Sequence, residues 1–310
     1  MKILEQLCAL HGTSGDEFRV RDFVLAKVIE ITKDYQGPHE LWYGDGFQDN
    51  LAVIFGTPKI AYYAHMDTVG YTVRYDNYVV PIGGTDGKTG DTLVYESEGK
   101  WLETKLIMEE SEGEGVLMLV DSKTPISPGT TLTYKPGFQL TEDQIQSPYL
   151  DNRLGVWALL QLMEKAQKKE LRNVAFVFTT YEEHGGGAAG FLARRLYKEY
   201  KTDKAIIVDI TWATNGVFPG KGPAISLRDS RIPRKSFVNS IVAKAKAANI
   251  SFQQEVEYHG GSDGREIQNL PYPIDWIFIG PPSDNQHSSL ETVNRGDVEG
   301  FVELLRAVGT

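Results

Sequence analysis

A chain of 310 residues with 41% apolar side chains can bury a substantial core, as one large domain or two modest ones. Its 32 basic and 42 acidic residues leave a formal charge of −10, which works against binding to nucleic acid or an anionic membrane and leaves small molecules or peptides as partners. The single cysteine, Cys8, cannot close an intrachain disulfide and suits a reducing cytoplasm. No signal-like stretch precedes Glu5, and no apolar run reaches the roughly 18 residues of a membrane span.

Taken in chain order, Ser14 and Glu17 form a capping-box pattern ahead of Val20, Phe23, Val24, Val28 and Ile31, which recur at helical spacing; together they predict a helix over 15–33. LAVIF (51–55), the turn GTPK and IAYYA (60–64) predict a strand pair ending in His65-Met66-Asp67. From about 68 to 147 the texture changes to short alternating or β-branched runs separated by Gly, Asp and Pro, an all-β module. After Asp151, helices over 152–168, 187–200, 235–248 and 294–307 alternate with strands over 173–179, 204–210 and 274–280. Such alternation predicts an α/β layer fold, with 68–147 inserted into a discontinuous domain made of 1–67 and 148–310. The basic run Lys165–Arg172 reads as a solvated helix end.

Strands of an α/β sheet deliver functional groups from their carboxyl ends. Just past the apolar runs lie His65 and Asp67, Glu182 and Glu183, Asp209 and His287, and Asp151 opens a helix directly after the β module. Each alone has an ordinary structural explanation; Asp151, for example, could simply cap the helix beginning at Asn152. Together they suit two divalent metals about 3.5–4 Å apart. Asp151 would bridge, His65 and Asp209 would complete one site, and Glu183 and His287 the other. Three carboxylates against two divalent ions and a bridging hydroxide make a neutral cluster, which can be buried. Mixed imidazole and carboxylate ligands suit zinc first, with cobalt or manganese as alternatives. His11, His39, His184 and His259 receive no ligand role.

With HMDTVG, LDNRLG, TTYEEHGGGAAG, IIVDIT, HGGSDGREI and NQHSSLE in this order, and HGTSGDE (11–17) at the start, the chain resembles the co-catalytic aminopeptidases of metallopeptidase family forty-two. The resemblance spans nearly the whole sequence. It implies a three-layer αβα zinc-peptidase-like catalytic domain carrying an inserted all-β accessory domain. It also implies that His65, Asp151, Glu183, Asp209 and His287 are metal ligands, that Glu182 is the general base and that Asp67 orients His65. The reaction would be release of the N-terminal residue from peptides with a free amino terminus, two metals lowering the pKa of a shared water toward about 7. A cytoplasmic homo-oligomer built from dimers, up to a dodecamer, follows from the same resemblance, with the β module as contact element.

Two other enzymes compete for these residues. Gly185, Gly187 and Gly190 fit the G-x-G-x-x-G turn of an NAD-type oxidoreductase, but Glu182 and Glu183 would set negative charge beside a pyrophosphate. A glycoside hydrolase could use Glu182 with a second acid, yet it needs no pair of histidines at metal spacing. Arg228, His259 and Arg265 are candidates to contact an acidic substrate side chain or the substrate carbonyl, with surface salt bridges as the plainer explanation. For Glu182 and Glu183 to share a site, the strand before them must end or kink, which the glycine run beginning at Gly185 allows.

Overall fold

A computed structural model describes residues 1–111, 115–165 and 172–309. Its centre is an eight-stranded sheet in the order His39–Trp42, Leu51–Phe55, Val174–Thr179, Ile60–His65, Lys204–Val208, Asp275–Gly280, Ala224–Arg228 and Gln253–Val256. The four strands from Val174–Thr179 to Asp275–Gly280 run parallel, so their carboxyl ends share one edge. They read as near-continuous apolar runs because both faces are covered. One face packs Tyr62, Phe176, Ile206 and Ile277 beneath the helices Phe18–Thr32, Leu150–Lys165, Lys235–Ala247 and Arg295–Gly309. The other packs Tyr63, Val177, Ile207 and Phe278 against Ala189, Leu192 and Leu196 of the helix Ala188–Tyr200. The result is the expected three-layer αβα architecture.

Two local expectations differ from the structure. The strands 51–55 and 60–64 are present but do not pair with each other. Val174–Thr179 lies between them, antiparallel to the first and parallel to the second. The connecting turn spends its backbone on the incoming strand: the Lys59 amide donates to the Asn173 carbonyl at 2.9 Å and the Thr57 amide to the Asn173 side chain at 3.0 Å. The capping box also fails to form. The helix begins at Phe18 with Glu17 in the N-cap position, but neither the Ser14 nor the Glu17 side chain caps it, because both are drawn into the site described below.

The remaining helices and strands after residue 150 fall within a few residues of their expected bounds, the last helix being Arg295–Gly309. The end of the helix expected over 152–168 and most of the basic run Lys165–Arg172 lie outside the described residues. The short helix Lys2–Cys8, which buries Leu4, Leu7 and Cys8, carries too few turns to announce itself by periodicity.

A separate six-stranded antiparallel sheet, built from residues 70–134, encloses Tyr71, Leu93, Leu106, Leu132 and Tyr134. A bridge between Tyr78 and Leu119 draws its two edges together. Residues 139–147 pair elsewhere: Gln144–Ser147 runs antiparallel to Glu291–Asn294 in a five-stranded sheet that also holds Pro282–Asp284 and Thr211–Trp212. That third sheet flanks the carboxyl edge of the central one.

Candidate metal centre

At this edge the structure brings His65, Asp151, Glu183, Asp209 and His287 together. His65 ends its strand, and its Nε2 lies 3.1 Å from Asp151 Oδ1 and 3.3 Å from Asp209 Oδ2. His287 Nε2 lies 3.3 Å from Asp151 Oδ2 and 3.4 Å from Glu183 Oε2. The two oxygens of Asp151 therefore face opposite partners. Ligand atoms of His65, Asp151 and Glu183 fall within 4.8 Å of one another.

Asp151 is free for this position because its neighbour does the capping. Asn152 Oδ1 accepts the Gly155 amide at 2.8 Å, while its Nδ2 donates to the Val208 carbonyl at 2.8 Å. One residue thus starts the helix and ties it to the strand that delivers Asp209. Gly280 lets the next strand approach: a Cβ there would stand 1.9 Å from the Asp209 carbonyl.

Glu182 and Glu183 reach the site together because the strand stops at Thr179, and Tyr181 turns the chain at φ 64° before Gly185, Gly186 and Gly187 continue at positive φ. Buried Asp67 fixes that turn. Its Oδ1 accepts the Glu182 amide at 3.1 Å and its Oδ2 the Glu183 amide at 3.0 Å, with the Ser14 hydroxyl at 2.7 Å. His65 Nδ1 lies 3.2 Å from the Asp67 carbonyl and 3.5 Å from its carboxylate. Glu17 holds the same loop, accepting the Tyr181 amide at 3.1 Å.

Sequence reasoning overlooked Glu291, which is 1% exposed. One oxygen accepts the His287 amide at 2.7 Å and the other, at 2.9 Å, the amide of Asp151, 140 residues before Glu291 in the sequence. Its only signal was its place in NQHSSLE. The role of Ser14 and Glu17 was likewise present in HGTSGDE, but their spacing also matched a capping box.

The electrostatics ask for cations. Burial pushes the Glu182 carboxyl up to about 8, with His65 opposing and Asp209 adding to the rise. Burial and then Asp151 raise Glu183 well above the usual carboxylate range. Burial would lower His287, but Asp151 and Glu183 outweigh it and hold the imidazole up to about 11. Glu183 Oε1 is buried with no hydrogen-bond partner. An orphaned carboxylate oxygen beside four further oxygen- and nitrogen-bearing groups fits a hard or borderline divalent cation.

The remaining candidates fall elsewhere. His11 bonds Thr131 and Thr133, His39 the Gly37 carbonyl, and His184 accepts the Gly83 amide at 3.3 Å. His259 lines the cavity in front of the cluster, whereas Arg228 and Arg265 are not in its wall; Arg228 donates to the Asp229 carbonyl, and Arg265 lies 3.7 Å from Glu266.

A cluster of two imidazoles and three carboxylates beside one cavity, at the carboxyl edge of an αβα sheet, defines a metal-dependent hydrolase rather than a nucleotide-binding enzyme. The family model of the M42 glutamyl aminopeptidases matches residues 120–304. The chain is 25% identical to a protein of Acetivibrio thermocellus provisionally named an aminopeptidase, covering 98% of this chain and 96% of that one. It is 23% identical to the lysyl aminopeptidase of Pyrococcus furiosus, over 99% and 96%. Among solved structures, an aminopeptidase of Desulfurococcus kamchatkensis superposes with a TM-score of 0.84 at 24% identity, over 99% and 93% of the chains. The TET1 peptidase of Pyrococcus horikoshii does so at 0.79 and 23%, over 99% and 98%. The chain belongs to the M42 glutamyl aminopeptidase family and is a metal-dependent aminopeptidase.

Proposed function

We propose that the chain releases N-terminal residues from peptides at a pair of divalent cations, one held by His65, Asp151 and Asp209 and the other by His287, Asp151 and Glu183. The two-sided placement of the Asp151 carboxylate carries this reading, since a carboxylate with a histidine and a second acid on each flank suits a bridge. Zinc, cobalt and manganese all suit the donor set. When bound, such cations acidify water and draw charge from the scissile carbonyl.

The chain supplies the rest. Glu182 faces the cavity with Oε2 4.0 Å from His65 Nε2, further than the other acids, which leaves its carboxylate to hold a proton. It takes that proton from the attacking water and returns it to the leaving amine. Asp67 and Glu17 keep Glu182 in place through the amides of the turn, and Glu291 keeps His287 beside Asp151.

Residues 68–147 serve in this reading as an accessory module, and Tyr75, Trp101 and Val116, all exposed, give it an apolar surface for a homo-oligomer. The Pyrococcus horikoshii peptidase is described as assembling into a tetrahedron or an octahedral shell, which supports assembly from copies of one chain. Among the described residues no helix is long and apolar enough to cross a membrane. Buried, unpaired Cys8 fits a cytoplasmic setting.

The test measures metal per chain, then N-terminal release from free and N-acetylated peptides with and without chelator. Two equivalents of metal, chelator-sensitive release and no action on acetylated peptides are expected. Equal cleavage of acetylated peptides would overturn the exopeptidase reading.

A further inference from the structure

The cavity has a second wall that neither the metal cluster nor the proton transfer uses. Past Asp209 and Glu183 its lining continues over Trp212, Asp229, Glu255 and Glu257. Glu255 is 2% exposed and accepts the Thr211 hydroxyl; Asp229 is 8% exposed and accepts the Arg231 amide; Glu257 accepts the Thr214 hydroxyl at 2.9 Å. The Glu257 amide donates to the Arg228 carbonyl at 3.0 Å, which sets Glu257 and Asp229 side by side.

Among the described residues no lysine or arginine side-chain nitrogen lies within 4.0 Å of any of these three carboxylates. Burial raises the Glu255 carboxyl, and Glu257 and Asp229 raise it further; burial raises Asp229 too, with Arg231 and Arg228 opposing from beyond ion-pair distance. Buried charge without a paired cation is costly to keep, so a positive ligand would relieve it.

Trp212 supplies a different kind of surface. The residue is 44% exposed, lines the same cavity and stands beside Gly260, whose added Cβ would meet the ring at 3.6 Å. An exposed aromatic face next to unpaired carboxylates suits an alkyl stem with a cationic tip. Glu183 and Asp209 line the same cavity as these residues, so wall and cluster face one space.

We propose that Trp212, Asp229, Glu255 and Glu257 form the pocket for the side chain of the substrate's N-terminal residue and select lysine and arginine there. This rests on the aminopeptidase reading above, which places the N-terminal residue in this cavity. An acidic N-terminal residue meets like charge and is rejected. A wall that held the α-amine instead would favour every N-terminal residue equally.

The experiment uses the full-length, metal-loaded protein. Values of kcat/KM are compared for peptides beginning with Lys, Arg, Leu and Glu, and free lysine and norleucine are titrated calorimetrically as probes of equal chain length. Lysine and arginine should exceed leucine by at least about tenfold, glutamate should be poorest, and lysine should bind more tightly than norleucine. In Glu257→Gln combined with Asp229→Asn, the Lys-to-Leu ratio should fall about tenfold. Leucine peptides cleaved as well as lysine peptides, with norleucine bound as tightly as lysine, would overturn the pocket and leave the aminopeptidase standing. Tight lysine binding with no peptide cleaved would support the pocket and sink the hydrolytic reading.

Discussion

The two histidines of the cluster are held in different ways. His65 closes a central strand, its side chain is 1% exposed, and its Nδ1 turns to the Asp67 carbonyl two residues on. His287 stands in a loop at φ 63° with its side chain 23% exposed, and its Nδ1 reaches the Gly84 carbonyl at 3.0 Å. Its own carbonyl accepts the Asp86 amide at 3.0 Å and the Tyr134 hydroxyl at 3.2 Å. One side is therefore positioned by the sheet core, where a shift would disturb many packed residues. The other is positioned by single hydrogen bonds, from Glu291 and from the segment that forms the six-stranded sheet. Sheet register fixes a group cheaply, whereas a loop must be tied bond by bond, and each tie can be cut separately.

The largest effect should come from Asp151, which both sides share. Asp151→Asn is expected to lose metal from both positions and all turnover, as read by metal content per chain. Retention of one tightly held equivalent would mean that the two sides are independent. Glu182→Gln should come next, lowering kcat by about 10²- to 10⁴-fold while metal content stays unchanged. Equal metal loss in the two variants would exchange their roles.

Glu291 tests the asymmetry more finely. Glutamine at this position keeps one acceptor oxygen and places an amino group against either the His287 or the Asp151 amide. Glu291→Gln should weaken metal binding about 10- to 100-fold, with the His287 side losing its ion first in a metal titration. A uniform loss from both sides would erase the distinction drawn here.

Much of this was legible in the sequence because it depends on local pattern. Short, near-continuous apolar runs rich in β-branched and aromatic residues, such as VAFVF and AIIV, read as buried strands, and in a parallel sheet the polar residues ending them meet at one edge. Hence His65, Asp209 and Glu183 could be placed together without coordinates. What stayed hidden depends on partners remote in sequence. Nothing in LAVIF-GTPK-IAYYA says that Val174–Thr179 will enter between its strands, since that strand lies more than a hundred residues on and its ladders to both, with Asn173 bound to the turn, are long-range contacts. Ser14 and Glu17 satisfy a local rule for helix starts, and the structure uses them for Asp67 and Tyr181, a competition that spacing cannot decide. The acidic wall behind Trp212 is not legible in the sequence because Glu255 lies on a four-residue strand and Asp229 and Glu257 just past the ends of two short strands, too short for a clear periodicity.

The smallest expected effect isolates the tie between the six-stranded sheet and His287. Tyr134, fully buried, donates to the His287 carbonyl at 3.2 Å and lies 3.3 Å from the Tyr71 hydroxyl. In Tyr134→Phe the ring still packs, and the carbonyl keeps the Asp86 amide, so no buried acceptor is stranded. Besides the contact with the Tyr71 hydroxyl, which does not touch the cluster, the loss at His287 is one net hydrogen bond, about 1 kcal/mol, or roughly fivefold in the binding constant of the more weakly held metal. The matching change on the other side, Ser14→Ala, removes a 2.7 Å bond to Asp67, but Asp67 retains both amides of the turn and His65 is gripped by its strand. It should leave the tighter metal unchanged within about twofold, because the sheet, not the hydroxyl, sets that position. A larger loss from Ser14→Ala than from Tyr134→Phe would reverse the order of rigidity and place the weak side of the cluster at His65.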